Sequence, residues 1–183
     1  MKKPRLIVVT GRPASGKTTL AHLLAKEIRC PLLSRDEFKE GYINTVRPDR
    51  DSLPDAIGKN IYEVFFQAVD LLVSNHISII IEAAFQHILW QPKLSNFFDN
   101  ADVRIIICET DIETALKRFL KRASDDAGRE KFHGDESTGL GELLIQSYEA
   151  PQLPVPTLYV DTMKDYVPDL SRIIRFATAE STR

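Results

Sequence analysis

Residues Gly11 to Thr18 read G-R-P-A-S-G-K-T, and no other stretch constrains this chain as tightly. The stretch fits the pattern G-x-x-x-x-G-K-[ST]. It follows the aliphatic run Leu6 to Val9 and precedes Leu20, Leu23, Leu24 and Ile28 at helical spacing, which Pro31 ends. A loop with glycines at both ends curls tightly enough to aim main-chain N–H groups at anionic oxygens. The helix behind it adds unpaired N–H groups and the positive end of its dipole. Lys17 supplies a mobile cation for the terminal phosphates, and the Thr18 hydroxyl is a hard oxygen suited to Mg²⁺. The stretch therefore predicts a cradle for a nucleoside triphosphate. Its members are Gly11, Arg12, Pro13, Ala14, Ser15, Gly16, Lys17, Thr18 and Thr19.

The rest of the chain reads as one α/β domain over residues 1–183. Apolar runs at Leu32-Leu33, around "SIIIE", in "DVRIIICE" and in "PTLYVD" alternate with helical segments. Unbroken apolar strands mean a parallel sheet covered by helices on both faces. Helices are expected over Asp55–Asn75, after a Thr110-x-x-Glu113 capping box with Ile112, Ala115, Leu116 and Phe119 buried, and over Asp165–Ala177. Segments 45–55 and 123–139 hold few core residues and read as long surface loops. The formal net charge of -2 gives no global field for nucleic acid. The amino-terminal apolar run is only about five residues, far short of a membrane span. With two cysteines, Cys30 and Cys108, each in or beside an apolar run, the expected setting is a reducing cytoplasm rather than a disulfide scaffold. His22, His76, His87 and His133 lack metal-ligand spacing.

Asp36, in "LLSRDEF", follows the second apolar run and should sit at the carboxyl edge of the sheet, where open α/β sheets bind ligands. A carboxylate there can orient an attacking hydroxyl and accept its proton. The same residue also suits a structural role, since Ser34 and Glu37 have capping-box spacing and an acid in a first turn complements the dipole. Arg118 and Arg122 lie four apart beside the buried stripe of their helix, and Arg129 follows in the polar segment. A solvated basic face, shared with Lys117 and Lys121, is the structural alternative.

Taken with "GRPASGKTT", the "SRDEF" stretch resembles the small P-loop kinases, a zeta-toxin- and polynucleotide-kinase-like group. The group also takes in chloramphenicol phosphotransferase and the gluconate and shikimate kinases. The resemblance implies a P-loop NTPase fold with about five parallel strands in the order 2-3-1-4-5 and a small lid, placed here at 123–139. It implies that Asp36 acts on the acceptor hydroxyl and that Arg118 packs near the adenine or phosphates. By the same resemblance Arg122 and Arg129 reach the transferring phosphoryl group, and Asp161-Thr162 form a base-contacting loop. The chain departs from the pattern at Glu82, where a Walker B aspartate would stand. Glu82 is expected near the metal or the acceptor, with a plain strand-end carboxylate as the alternative.

The expected function is ATP- and Mg²⁺-dependent phosphorylation of a hydroxyl on a small molecule. A polynucleotide 5′-hydroxyl kinase is the first rival, and a nucleotide-dependent switch with slow hydrolysis is the second. Acceptor specificity is expected in residues 38–60 and near Phe85 to Trp90.

Overall fold

Leu6 to Val9 are almost wholly buried in the centre of β1 (Arg5–Gly11). The computed structural model describes residues 2–46, 55–125 and 139–180. Around β1 stand β2 (Leu32–Ser34), β3 (Ile79–Glu82), β4 (Asp102–Glu109) and β5 (Thr157–Asp161). Every pairing is parallel, and the order is β2-β3-β1-β4-β5, as expected. Register places Glu82 beside both Val9 and Ser34, so the end of β3 lies against the end of β1.

Alternate side chains of each strand enter two separate cores. Leu6, Val8, Ile79, Ile81 and Ile105 pack beneath α3 (Asp55–Ser74) and α4 (His87–Ser95). Ile7, Val9, Ile80 and Ile106 pack beneath α1 (Lys17–Ile28) and the closing helix α7 (Leu170–Thr178). The sheet is thus dry on both faces, which is why its strands read as continuous apolar runs. Buried Arg104 pins the end of α7. It pairs with Asp102 at 2.8 Å and donates to the carbonyls of Phe176 and Ala179 at 2.6 and 2.8 Å.

Several expectations are corrected. In α3, where the spacing predicts a buried stripe of Ile57, Ile61, Val64, Phe65, Ala68 and Leu72, the buried residues include Ile61, Phe65, Phe66, Val69 and Val73, and Val64 is exposed. The cap of α5 (Ile112–Asp125) is Asp111, not Thr110. Its carboxylate accepts from the Thr114 N–H at 2.7 Å and the Thr114 hydroxyl at 2.8 Å, while Glu113 pairs with Lys117 instead. Ile112 is consequently exposed. Helix α7 starts at Leu170 because Pro168 blocks helix immediately upstream and Asp169 provides the cap. Two helices escaped the sequence reading, α4 and α6 (Leu140–Ser147), both short, and α4 carries Pro92 inside it. The loop expected at 45–55 and the lid expected at 123–139 fall mostly outside the described residues. At their margins α2 (Arg35–Val46) ends and α5 runs on to Asp125. No helix among the described residues is long and apolar enough to cross a membrane.

Candidate active site

The loop after β1 turns at the carboxyl edge of the sheet and runs into α1. Gly11, Ala14 and Gly16 all take positive φ, at 153°, 62° and 85°. At Gly11 a Cβ would run into Ser15 Oγ and come within 2.5 Å of the Cys108 carbonyl oxygen, so only glycine fits. Gly16 is the N-cap of α1, which leaves the N–H groups of Gly16, Lys17, Thr18 and Thr19 without intrahelical acceptors. These donors, with the dipole behind them, form an anion cradle.

The loop residues divide by role. Pro13 has no N–H, and the Ser15 N–H donates to the Arg12 carbonyl at 3.1 Å. Arg12 turns away and donates from Nη1 to the Ile145 carbonyl at 3.0 Å, tying the loop to α6. One residue upstream, Thr10 Oγ1 accepts from the Phe85 N–H at 3.0 Å and meets the Tyr148 hydroxyl at 2.9 Å. Burial pushes the Tyr148 hydroxyl up to about 12 despite that bond.

Two cavities meet at this loop and share Ala14, Lys17, Thr18 and Arg122. The larger, about 590 Å³, is walled by Gly16, Thr19, Arg118, Thr162 and Tyr166. The smaller, about 260 Å³, holds Pro13, Arg35, Asp36, Lys39, Gln86 and Trp90. A separate hollow of about 1000 Å³ lies at the opposite, amino edge of the sheet among Arg5, Ser78 and Asp102. It contains none of the loop residues, so size does not mark the site here.

Beneath the loop, Lys17 Nζ lies 3.7 Å from Glu82 Oε1, with both side chains almost fully buried. Ser34 Oγ donates to Glu82 Oε2 at 2.7 Å, while Oε1 is buried with no hydrogen-bond partner among the described residues. Ser34 is therefore not the cap of α2. Glu37 is also engaged elsewhere, with His22 at 2.7 Å. The structural alternative for Asp36 thus loses its Ser34–Glu37 capping box but keeps its other part, an acid in the first turn that complements the helix dipole. Asp36 stays in the first turn of α2, half-buried, with Arg35 Nη1 3.4 Å away. Cys108 sits close by, its thiol pushed up to about 12 by burial, partly countered by Lys17. It stays a thiol at neutral pH and is no nucleophile.

Arg118 is held in place, its Nη2 donating to the carbonyls of Thr162 and Met163, both at 2.8 Å. Thr162 is itself occupied: its hydroxyl reaches the Ser15 carbonyl at 2.5 Å and the Glu109 carbonyl at 2.9 Å. Asp161 caps the same turn through the Met163 N–H at 2.8 Å. These side chains lock the wall of the larger cavity rather than reaching into it. Arg122 is exposed and touches both cavities, whereas Arg129 lies outside the described residues. Lys39 and Gln86, which line the smaller cavity, were not singled out from the sequence but fall within the segments 38–60 and Phe85 to Trp90 where acceptor specificity is expected. The legible signal for Lys39 was its spacing of four from Arg35 on one helix. Trp90 packs on Tyr62, Phe66 and Phe85 and also faces the smaller cavity.

The donors present suit a magnesium ion. Thr18 lines both cavities, and behind them the buried Glu82 Oε1 has no hydrogen-bond partner among the described residues, with Lys17 Nζ 3.7 Å away. Among the described residues no cluster of three or more His, Cys, Asp or Glu could form a metal cage.

Residues 6–138 match the family model described as AAA domain. A crystal structure of a candidate kinase from Chloroflexus aurantiacus J-10-fl has a TM-score of 0.84 and 26% identity, covering 99% of this chain and 100% of that one. A gluconokinase from Sinorhizobium meliloti 1021 shares the fold, with a TM-score of 0.60 and 17% identity over 98% of this chain and 92% of that one. So does a chain of the Pnkp1/Rnl/Hen1 RNA repair complex, with a TM-score of 0.58 and 20% identity over 84% of this chain and 49% of that one. No curated protein sequence gives a significant match.

Proposed function

From the premise that this chain belongs to the AAA-domain family matched over residues 6–138, we propose that it is an ATP- and Mg²⁺-dependent kinase acting on a hydroxyl of a small molecule. One observation carries the reading. Two cavities join at Lys17, Thr18 and Arg122, and the smaller one has Asp36 in its wall. In this reading the larger cavity takes the nucleotide and the smaller one the acceptor. Phosphoryl transfer needs in-line positioning and charge stabilisation, and the junction supplies cations where the γ-phosphate would lie.

Each group then has a task. The amides of Ala14 and Gly16 to Thr19 hold the phosphates, with Lys17 opposing their charge. Arg118 shapes the nucleotide wall. Arg122 stabilises charge on the transferring group, and Arg129 remains a candidate for the same work. Asp36 orients the acceptor hydroxyl and takes its proton. Thr18 and Glu82 are the residues that would hold magnesium. When bound, the ion would neutralise charge on the phosphate oxygens.

The fold shared with a chain of the RNA repair complex keeps a polynucleotide 5′-hydroxyl kinase as the second reading. The experiment is a screen of hydroxyl compounds and of a 5′-hydroxyl oligonucleotide for phosphorylated product, with wild type and Asp36→Asn. The proposal expects a small phosphorylated product that Asp36→Asn abolishes. Oligonucleotide product alone would favour the second reading. ATP turnover indifferent to every acceptor and to Asp36→Asn would mark a nucleotide switch.

A further inference from the structure

The two carboxylate oxygens of Glu82 are used differently. Ser34 is the register partner of Glu82 on β2, so the two side chains leave the sheet on the same face. Ser34 Oγ donates to Oε2 at 2.7 Å, the length of a charge-assisted hydrogen bond. Oε1 accepts no hydrogen bond among the described residues and lies 3.7 Å from Lys17 Nζ. Ser34, Glu82 and Lys17 are all almost fully buried, so water screens none of this. An ammonium and a carboxylate this dry attract each other strongly and ordinarily close to about 2.8 Å. The gap therefore needs a cause, and Ser34 supplies one. In the sheet β3 lies between β2 and β1, so Ser34 pulls on Glu82 from one flank. Lys17 reaches it from the other, through the loop that follows β1. With one oxygen tied to β2, the carboxylate cannot turn both toward the lysine.

Resting on the reading of the 11–18 loop as a phosphate cradle, we infer that Ser34 is a positioning residue. By holding Glu82 Oε2 it keeps Glu82 from capturing the Lys17 ammonium, which stays available to the β- and γ-phosphates. Ser34 touches no nucleotide itself and acts through Glu82. Remove its hydroxyl, and Oε2 is left buried without a donor, a state that costs free energy. Among the described residues Lys17 is the cation paired with Glu82, so closing onto Lys17 relieves that cost. A lysine so captured must be released before it can serve a phosphate. Apparent affinity then falls by the fraction of molecules in which it is available. The penalty belongs to ligands whose phosphates reach Lys17 and spares those that end at the α-phosphate.

The test is calorimetric binding of ATP and AMP to wild type, S34A, S34T, E82Q and S34A/E82Q. EDTA is present throughout, so that any part Glu82 plays toward magnesium stays out of the comparison. S34A should weaken ATP binding by about tenfold, the scale of one charged hydrogen bond, and AMP binding by less than about twofold. S34T keeps the hydroxyl and should recover most of the ATP affinity. S34A/E82Q should bind ATP as well as E82Q alone, because a neutral amide does not hold the ammonium. Should S34A fail to fold, S34C, near in size and a weak donor, carries the same measurements. A merely structural role for Ser34 would weaken ATP and AMP together, and E82Q would not repair it. The inference is overturned by that pattern, by unchanged ATP affinity in S34A, or by a double variant that stays weaker than E82Q. Wild type that binds ATP in this pattern yet phosphorylates no acceptor would defeat the kinase reading and leave the inference standing. Equal wild-type affinity for ATP and AMP would defeat the cradle and the inference with it.

Discussion

Lys17 and Glu82 face each other beneath the phosphate loop at 3.7 Å, each almost wholly removed from water. The pair is longer than a hydrogen bond, so the lysine is poised rather than consumed. Losing Lys17 removes the cation for the phosphates and also strands a buried carboxylate. Lys17→Ala should therefore lower turnover by more than about tenfold. It should also cost about 3 kcal/mol of stability. Adding Glu82→Gln should recover at least about 1 kcal/mol of that stability without restoring turnover. Urea titrations of both single variants and the double variant check this. Strictly additive stability losses would refute the buried pairing.

The two loop glycines should respond differently to alanine. At Gly16 a Cβ meets nothing nearer than 3.7 Å, so the penalty is backbone strain alone, roughly 1–2 kcal/mol. At Gly11 it would press on the Cys108 carbonyl oxygen at 2.5 Å, against the fixed end of β4. Gly11→Ala should thus abolish nucleotide binding or soluble expression, while Gly16→Ala should fold and bind more weakly. Nucleotide affinity by calorimetry and thermal melts separate the two.

Alkaline pH should weaken the fold in two stages. Burial raises Cys108 from 9.0 to about 12 and Tyr148 from 10.0 to about 12. Both folded values exceed the unfolded ones, so the stability they contribute is complete below pH 9 and is lost as pH climbs toward 12. The slope is about 1.4 kcal/mol per pH unit for each group, with Cys108 acting from about pH 9 and Tyr148 joining from about pH 10. Urea midpoints from pH 7 to 11 measure it, and Tyr148→Phe should remove the upper stage. A midpoint that is flat to pH 11 would contradict the assignment.

Gly141 lies at the start of α6 with the Phe119 ring so close that an added methyl would overlap it. Phe119, Ala115, Ala14 and Ile145 form one small buried cluster under the loop. Gly141→Ala should destabilise by about 1–3 kcal/mol through overpacking. Because Ala14 shares the cluster, nucleotide affinity should fall with it. Gly141→Ala paired with Phe119→Leu should relieve the clash. Unchanged melting of the single variant would show that α6 yields freely.

The parallel sheet and the loop position were legible from pattern, whereas the strand order was legible only through the resemblance to small P-loop kinases. Five apolar runs, four of them followed by an expected helical segment, point to a parallel sheet covered on both faces. Asp36 was legible for the same reason, since a residue just past a parallel strand must emerge at the carboxyl edge. What the sequence concealed were long-range bonds. Nothing in "LLSRDEF" shows that Ser34 spends its hydroxyl on Glu82, 48 positions away, instead of capping α2. Nothing near Arg118 shows that its fork is closed by the carbonyls of residues 162 and 163. Thr110 and Glu113 had the spacing of a capping box, yet Asp111 competes one residue later with a charged oxygen and wins. Helix α4 was obscured by Pro92, and its burial of Trp90 depends on aromatic partners contributed by α3.

The most direct measurement is a crystal structure with a non-hydrolysable ATP analogue and Mg²⁺. The account predicts phosphate oxygens within about 3 Å of the N–H groups of Gly16, Lys17 and Thr18, the ordinary donor–acceptor distance. It also predicts the base in the cavity beside Arg118 and the γ-phosphate facing Asp36. Nucleotide bound at the amino edge of the sheet, or elsewhere with the 11–18 loop empty, would contradict it.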